Sequence, residues 1–250
     1  MSRWVLITGA AKRLGRAIAE EAADRGWSVA IHHRASPDDA ESLRQDLLAR
    51  GVGAVTLAAD LEDGEAASQL PARAIEAGAF PLVAVVNSAA IFEHDLIETM
   101  TAEAFHKHMR INALAPCLIA QSFARALPTG ETGVIVNIQD YKLAQPYPDH
   151  FTYTLSKYAL LGATEMLARA LAPAIRVNAI APGYVLPAPG QAEADFQRLH
   201  AQTPLARGAG QADIAQAALY LMESPILTAQ TIYVDAGLRF IVPERDFAFR

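Results

Sequence analysis

Tyr153 and Lys157 stand four residues apart in a stretch of helical period, 151–172, so both lie on one helix face a turn apart. A free tyrosine ionises near ~10, too high to exchange protons at neutral pH, and a neighbouring ammonium favours the phenolate and lowers that value. A tyrosine so tuned can give or take a proton in a substrate's transition state. Tyr-x-x-x-Lys is common on solvated helix faces, so its surroundings decide. Asp140 lies thirteen residues upstream, just past the apolar run 134–138. Asn87 closes the run 82–86, Asn112 falls in the long helical stretch 102–127, and Pro182-Gly183 follows the run 176–180.

A second constellation follows the first apolar run. In Thr8-Gly9-Ala10-Ala11-Lys12-Arg13-Leu14-Gly15, two glycines bracket a turn from strand to helix, where backbone N–H groups and the helix dipole can receive a pyrophosphate. Arg13 stands where the middle glycine of such loops is usual, and its guanidinium could contact phosphates or an electron-rich ring. At the end of the second run, Asp or Glu would bond the ribose 2′-hydroxyl of NAD. Here the chain reads His32-His33-Arg34-Ala35-Ser36, cationic and hydroxyl groups that suit a 2′-phosphate and predict NADP(H).

These residues need elements to position them. Short apolar runs at 4–7, 28–31, 54–57, 82–86, 133–136, 176–180 and 231–234 alternate with Ala-rich helical stretches at 15–25, 38–50, 64–77, 102–127, 151–172 and 211–222. The runs show no apolar/polar alternation, the mark of strands buried on both faces. Gly26, Gly51 and Gly78 stand where helix C-terminal caps belong. The pattern predicts an α/β fold: one Rossmann-type, doubly wound parallel sheet of about seven strands with helices on both faces and a ligand crevice at the strands' carboxyl ends. Residues 1–250 read as a single domain, with the Pro- and Gly-rich stretch 182–210 as a substrate flap.

The bulk numbers agree. The chain has 250 residues, 52% hydrophobic, with 27 acidic against 21 basic side chains and a net charge of −6. That size can bury its own core, and the lone Cys117 excludes a disulfide framework. Mild acidity without a basic block argues against nucleic acid as a partner. No run is long enough to span a membrane and no signal peptide is legible, so a cytoplasmic protein is expected. His106 and His108, like His32 and His33, diverge in direction, so no metal is expected.

Together these features resemble the short-chain dehydrogenase/reductase family over essentially the whole chain. Thr8, Gly9, Gly15, Asn87, Asn112, Tyr153 and Lys157 match its motif positions. The resemblance implies hydride transfer with Tyr153 as acid/base and Lys157 holding its pKa down, Asn112 holding a water in the proton path, and a homo-oligomer, tetramer or dimer. It also implies cofactor contacts from Leu14, Asp60, Leu61, Ser88, Ala89, Pro182 and Gly183. One position departs from it: Asp140 replaces the serine that family members carry thirteen residues before the tyrosine. An ionised aspartate cannot donate to a ketone oxygen and raises a tyrosine's pKa. It suits a ring with exchangeable N–H groups.

That departure, the loop with Arg13, the basic stretch ending in Ser36 and Phe92 after the Asn87 turn resemble the pteridine and dihydromonapterin reductase subgroup. There the matching phenylalanine stacks a pterin on the nicotinamide, as expected for a flat ring held between flat faces. Ala90 and Glu93 depart from the subgroup pattern. The expected function is therefore NADPH-dependent reduction of a pterin or dihydropterin bound by Arg13, Phe92, Asp140 and Tyr153. The alternatives are a reductase of a keto thioester or small ketone, and a nucleotide-binding regulatory protein without turnover. The helices at 102–127 and 153–172 are candidate dimer faces. The tail 239–250, with Phe240, Phe247 and Phe249, is expected to dock on a neighbouring subunit.

Overall fold

The computed structural model describes residues 3–187 and 192–241. Seven strands, β1 (Trp4–Thr8), β2 (Ser28–His33), β3 (Ala54–Ala58), β4 (Leu82–Asn87), β5 (Gly133–Ile138), β6 (Ile175–Pro182) and β7 (Thr231–Val234), form one parallel sheet in the order β3-β2-β1-β4-β5-β6-β7. The order reverses between β1 and β4, which opens a crevice at their carboxyl ends. Among the described residues, eight α-helices connect the strands: α1 (Arg13–Asp24), α2 (Pro37–Ala49), α3 (Gly64–Glu76), α4 (Ala102–Met109), α5 (Ala115–Ala126), α6 (Phe151–Ala170), α7 (Glu193–Ala201) and α8 (Gln211–Glu223).

The central strands read as uninterrupted apolar runs because both faces are covered. Val5 and Ile7 of β1 pack with Ile18, Leu43, Leu47 and Ile214 on one side of the sheet. Leu6 packs with Leu70, Ile119 and Phe123 on the other. All seven expected strands form, and Gly26, Gly51 and Gly78 take positive φ at the helix ends they were expected to close.

The stretch 102–127 does not form one helix. A π-helical segment, Arg110–Leu114, separates α4 from α5, with the Ala115 N–H bonded to the Arg110 carbonyl five residues back. Pro116 explains the break: it has no N–H to give the Asn112 carbonyl, and its ring would crowd that oxygen in a regular helix. The stretch 182–210 contains α7, with residues 188–191 outside the described part. Of the tail, Arg239 pairs with Asp235 at 2.9 Å and lies over the Tyr233 ring; Phe247 and Phe249 fall outside the described residues. Among the described residues, no helix is long and apolar enough to cross a membrane.

Candidate active site

The glycine turn lies at the carboxyl end of β1, where the crevice opens. Gly15 is packed so closely that a Cβ there would sit 2.3 Å from the Gly9 carbonyl oxygen. Gly9 has φ +67°, and a Cβ on it would lie 3.1 Å from Ala89 Cα. Thr8 ties the two switch-point strands together: its hydroxyl accepts from the N–H groups of both Ser88 and Ala89 at 3.0 Å. The first turn of α1 carries no acidic side chain, so its dipole is uncompensated for an anion. Arg13, an exposed residue, enters that helix at φ +53°, a conformation that costs a non-glycine residue about 1 kcal/mol.

The basic cluster at the end of β2 is smaller than the sequence implies. His32 is buried and both its ring nitrogens are spent: Nδ1 accepts from the Gly9 N–H at 3.1 Å and Nε2 faces the Ala59 carbonyl at 3.1 Å. One neutral tautomer satisfies both bonds, with the proton on Nε2. His32 is therefore not a phosphate cation but a strut that holds the glycine turn against β3. His33 is buried too, its Nδ1 has no hydrogen-bond partner, and burial lowers its pKa. The exposed cation here is Arg34, which, like Arg13, makes no ion pair among the described residues. Ser36 begins α2 without spending its hydroxyl on a cap. Asp60 is exposed and accepts the Glu62 N–H at 3.0 Å, while Leu61 beside it is buried.

Burial of His32 has a measurable consequence. Desolvation lowers its pKa from 6.5 to about 4. Between those values the unfolded chain holds a proton on this ring that the folded chain does not. Its stabilising contribution is full above pH 6.5 and is lost as the pH falls toward 4, by about 3 kcal/mol in total. Urea melts from pH 7.5 to 4 should show that loss, and a His32→Leu variant, less stable at neutral pH, should lack it. A wild-type-minus-variant difference that is flat with pH rules the strut out.

The second constellation meets at the carboxyl ends of β4 and β5. The Tyr153 hydroxyl donates to Asp140 Oδ2 at 2.8 Å, and Asp140 Oδ1 accepts the Lys142 N–H at 2.9 Å. Lys157 Nζ donates to the Ile138 carbonyl at 2.7 Å and stands 5.6 Å from the centre of the Tyr153 ring. The depression expected from Lys157 does not govern the tyrosine here. Burial, and then the charge and hydrogen bond of Asp140, hold Tyr153 well above the ordinary tyrosine value. Burial also pushes the Asp140 carboxyl up, against the Lys142 N–H, Tyr153 and the two lysine charges. Burial brings Lys157 down to about 8, partly offset by Asp140. Tyrosine and carboxyl are thus both biased toward their protonated forms.

Asn112 sits in the π-helical segment, and its side chain is occupied. Its Oδ1 accepts the Ile91 N–H at 2.9 Å, and its amide donates to the Ile91 carbonyl and to Ser156 Oγ, each at 3.0 Å. It has no side-chain donor left for a water; it fastens the loop after β4. Asn87 donates to Asn137 Oδ1 at 2.8 Å, and its own Oδ1 is buried without a partner. Pro182 ends β6, and Gly183, bonded to the Val234 carbonyl, lies so close to the β7 end that a Cβ would sit 2.9 Å from Asp235 Cα.

Phe92 comes to the tyrosine. Its ring is edge-on to Tyr153 at 4.7 Å and stacked on His150 at 3.9 Å, and it remains 53% exposed. His150 holds this place because it takes the left-handed conformation, φ +57°, just before α6. Of the four residues expected to bind the substrate, Arg13, Phe92, Asp140 and Tyr153, the last three form one contact chain. Sequence reasoning missed Asp95 and Thr152 and weighed His108 only as a metal ligand; all three are buried beside this chain, with Asp95 and His108 each bonded to Thr152. Polar residues on a loop and two helices give no periodic signal.

Comparison with known proteins fits this geometry. The family model described as enoyl-(acyl carrier protein) reductase matches residues 9–239. The chain belongs to the short-chain dehydrogenase/reductase family. Among solved members, FolM alternative dihydrofolate reductase 1 from Brucella canis, complexed with NADP, is 36% identical, with a TM-score of 0.90 over 98% of this chain and 97% of that one. The Brucella suis protein of the same description, also with NADP, is 35% identical, with a TM-score of 0.88 over 95% of each chain. The 3-oxoacyl-(acyl-carrier-protein) reductase FabG of Staphylococcus aureus is 28% identical over 95% of this chain and 98% of its own length. The chain that carries the Tyr153–Lys157 pair therefore belongs to an oxidoreductase family.

Proposed function

We propose that this chain is an NADPH-dependent reductase of a pterin or dihydropterin ring. The observation that carries the reading is the Asp140 carboxyl bonded to the Tyr153 hydroxyl, with the half-exposed Phe92 ring edge-on to that tyrosine. The description of the two Brucella neighbours as alternative dihydrofolate reductases supports it.

The residues present fit NADP(H). The turn at Gly9 and Gly15 leaves no room for Cβ atoms, which is the packing a pyrophosphate cradle needs, and two orphaned polar atoms, on His33 and Asn87, lie beside it. Thr8, Arg13 and Leu14 would border the pyrophosphate, and Arg34 and Ser36, with His33 behind them, the 2′-phosphate. Asp60 and Leu61 would hold the adenine. Asn87, Ser88, Ala89, Tyr153, Lys157, Pro182 and Gly183 would surround the nicotinamide half. When bound, the cofactor supplies the hydride.

The protein's part is the proton. A tyrosine that protonated a substrate alone would become a phenolate beside Asp140, and burial opposes that. If the carboxyl is protonated, the polarity of the Tyr153–Asp140 bond reverses and the phenol hydrogen is freed toward the substrate. Tyr153 then gives its proton to a ring nitrogen and takes another from Asp140. The charge is left on the carboxylate, which the Lys142 N–H and the Lys157 ammonium favour. No phenolate forms. Phe92 and Arg13 would hold the flat ring.

The similarity to FabG supports a second reading, reduction of a β-keto thioester. Asp140 weighs against it: protonated, its one hydrogen is committed to Tyr153, and ionised, it has none to give a ketone oxygen. Oxidation of NADPH with dihydropterin, dihydrofolate, a small ketone and a β-keto thioester should show turnover with the first two and, for them, preference for NADPH over NADH. Turnover of the thioester alone refutes the pterin reading. NADPH binding without turnover of any substrate would place the chain among nucleotide-binding proteins.

A further inference from the structure

The loop that carries Phe92 is fastened at every second residue. Ile91 is bonded through both N–H and C=O to Asn112. Glu93 gives its N–H to His108 Nε2 at 3.4 Å and receives His150 Nδ1 on its carbonyl at 3.0 Å. Asp95 accepts the Phe151 N–H on its carbonyl, at 3.2 Å. Its carboxylate accepts the Thr152 N–H and hydroxyl at 3.1 and 2.6 Å. Residues 91, 93 and 95 thus turn to the protein, and the residues between them, Phe92 and His94, flank the His150 ring.

The bonds in this network have one consistent direction. The Glu93 N–H needs an unprotonated Nε2 on His108, so the ring proton sits on Nδ1, within 3.0 Å of both the Thr152 Oγ1 and the Ala104 carbonyl. The Thr152 hydroxyl, accepting there, can pass its own hydrogen to only one place, Asp95 Oδ2. His108 and Thr152 have no exposed surface, and Asp95 is 7% exposed, so no water competes for these bonds. Thr152 immediately precedes Tyr153, and the start of α6 has no side-chain cap of its own, a place Asp95 fills from the loop.

We infer that Asp95, Thr152 and His108 are positioning residues that fix the Phe92 ring relative to the Tyr153 hydroxyl, so that a flat substrate lies at one height against the proton donor. None of the three need touch the substrate. The kinetic part of this inference rests on the pterin reading; the mechanical part does not, and two measurements separate them.

Thr152→Val keeps the side chain's shape and removes the link, while α6 stays anchored by Lys157 and Ile138. Losing one or two buried hydrogen bonds should raise KM for dihydropterin by about fivefold to fiftyfold, with kcat and the NADPH Kd within about twofold. Thr152→Ser should restore KM. Parallel loss of kcat and KM, no change in either, or failure of serine to rescue overturns the kinetic role. For the mechanical part, the indole of a Phe92→Trp variant reports the loop directly, since Trp4 and Trp27 are buried. Adding Thr152→Val should increase acrylamide quenching of that indole by about twofold or more. Unchanged quenching overturns the inference whatever the substrate. Increased quenching in a protein that turns over no pterin upholds the positioning network and removes the pterin reading alone.

Discussion

Tyr153→Phe lowers kcat for dihydropterin by about a thousandfold and leaves the NADPH Kd within about twofold; this is the largest single effect expected of any substitution. A positioned general acid contributes typically ~10²–10⁴-fold, and here no second hydroxyl stands ready, because the position thirteen residues upstream is a carboxyl. The phenyl ring of the variant fills the same space and keeps its edge on Phe92, so the substrate platform survives. The Asp140 carboxyl loses a partner that held its pKa down, so the change moves that pKa further up. Steady-state kinetics and a fluorescence titration with NADPH measure the two quantities separately. Retention of more than about a tenth of the activity would mean that Asp140 protonates the substrate directly, and the relay through the phenol would have to be abandoned.

Where the sequence was legible, burial made it so. β4 and β5 are buried along their whole length and are polar only near their carboxyl ends, at Asn87 and Asn137, so apolar runs mark them, and their bounds differ from the expected ones by only one or two residues. The long stretch 102–127 misled because its break depends on Pro116 meeting a carbonyl four residues back and on Asn112 reaching Ile91, a tertiary bond that helical period does not encode. His32 and His33 misled for a related reason. Adjacent strand residues point to opposite faces, and only the fold tells which imidazole meets Gly9 and Ala59 and becomes neutral.

The proton chemistry was legible in its parts and not in its sign. The spacing of Tyr153 and Lys157 puts them on one helix face, but the lysine's direction is decided by the Ile138 carbonyl at the end of β5. The aspartate's effect, by contrast, follows from its charge wherever it approaches the phenol. Asp140 replaces the serine of the family pattern, and it is the residue to which the tyrosine is bonded.

Replacing it is the second large effect. Asp140→Ser should lower kcat/KM for dihydropterin about a hundredfold, because the carboxyl that refills the phenol is gone. It should also raise activity on a β-keto thioester, since a serine hydroxyl is free to donate to a ketone oxygen, whereas the one hydrogen of a protonated Asp140 is committed to Tyr153. Two of the causes that hold Tyr153 high, the charge and the hydrogen bond of Asp140, vanish with it, so the tyrosine pKa falls. Lys157 loses the charge that raised it and drops below its present value of about 8. The pH profile separates this account from simple damage. In the wild type, dihydropterin reduction requires a protonated Asp140, whose pKa lies above the usual carboxylate range, so kcat/KM should decline as the pH rises through that raised value. In the variant that decline disappears, and the remaining activity follows Tyr153 alone at higher pH. Equal loss on both substrates with an unchanged profile would show that Asp140 only supports the fold of the site. Loss on dihydropterin with gain on the thioester would identify one carboxyl as the group that turns a ketone reductase's proton relay toward a ring nitrogen.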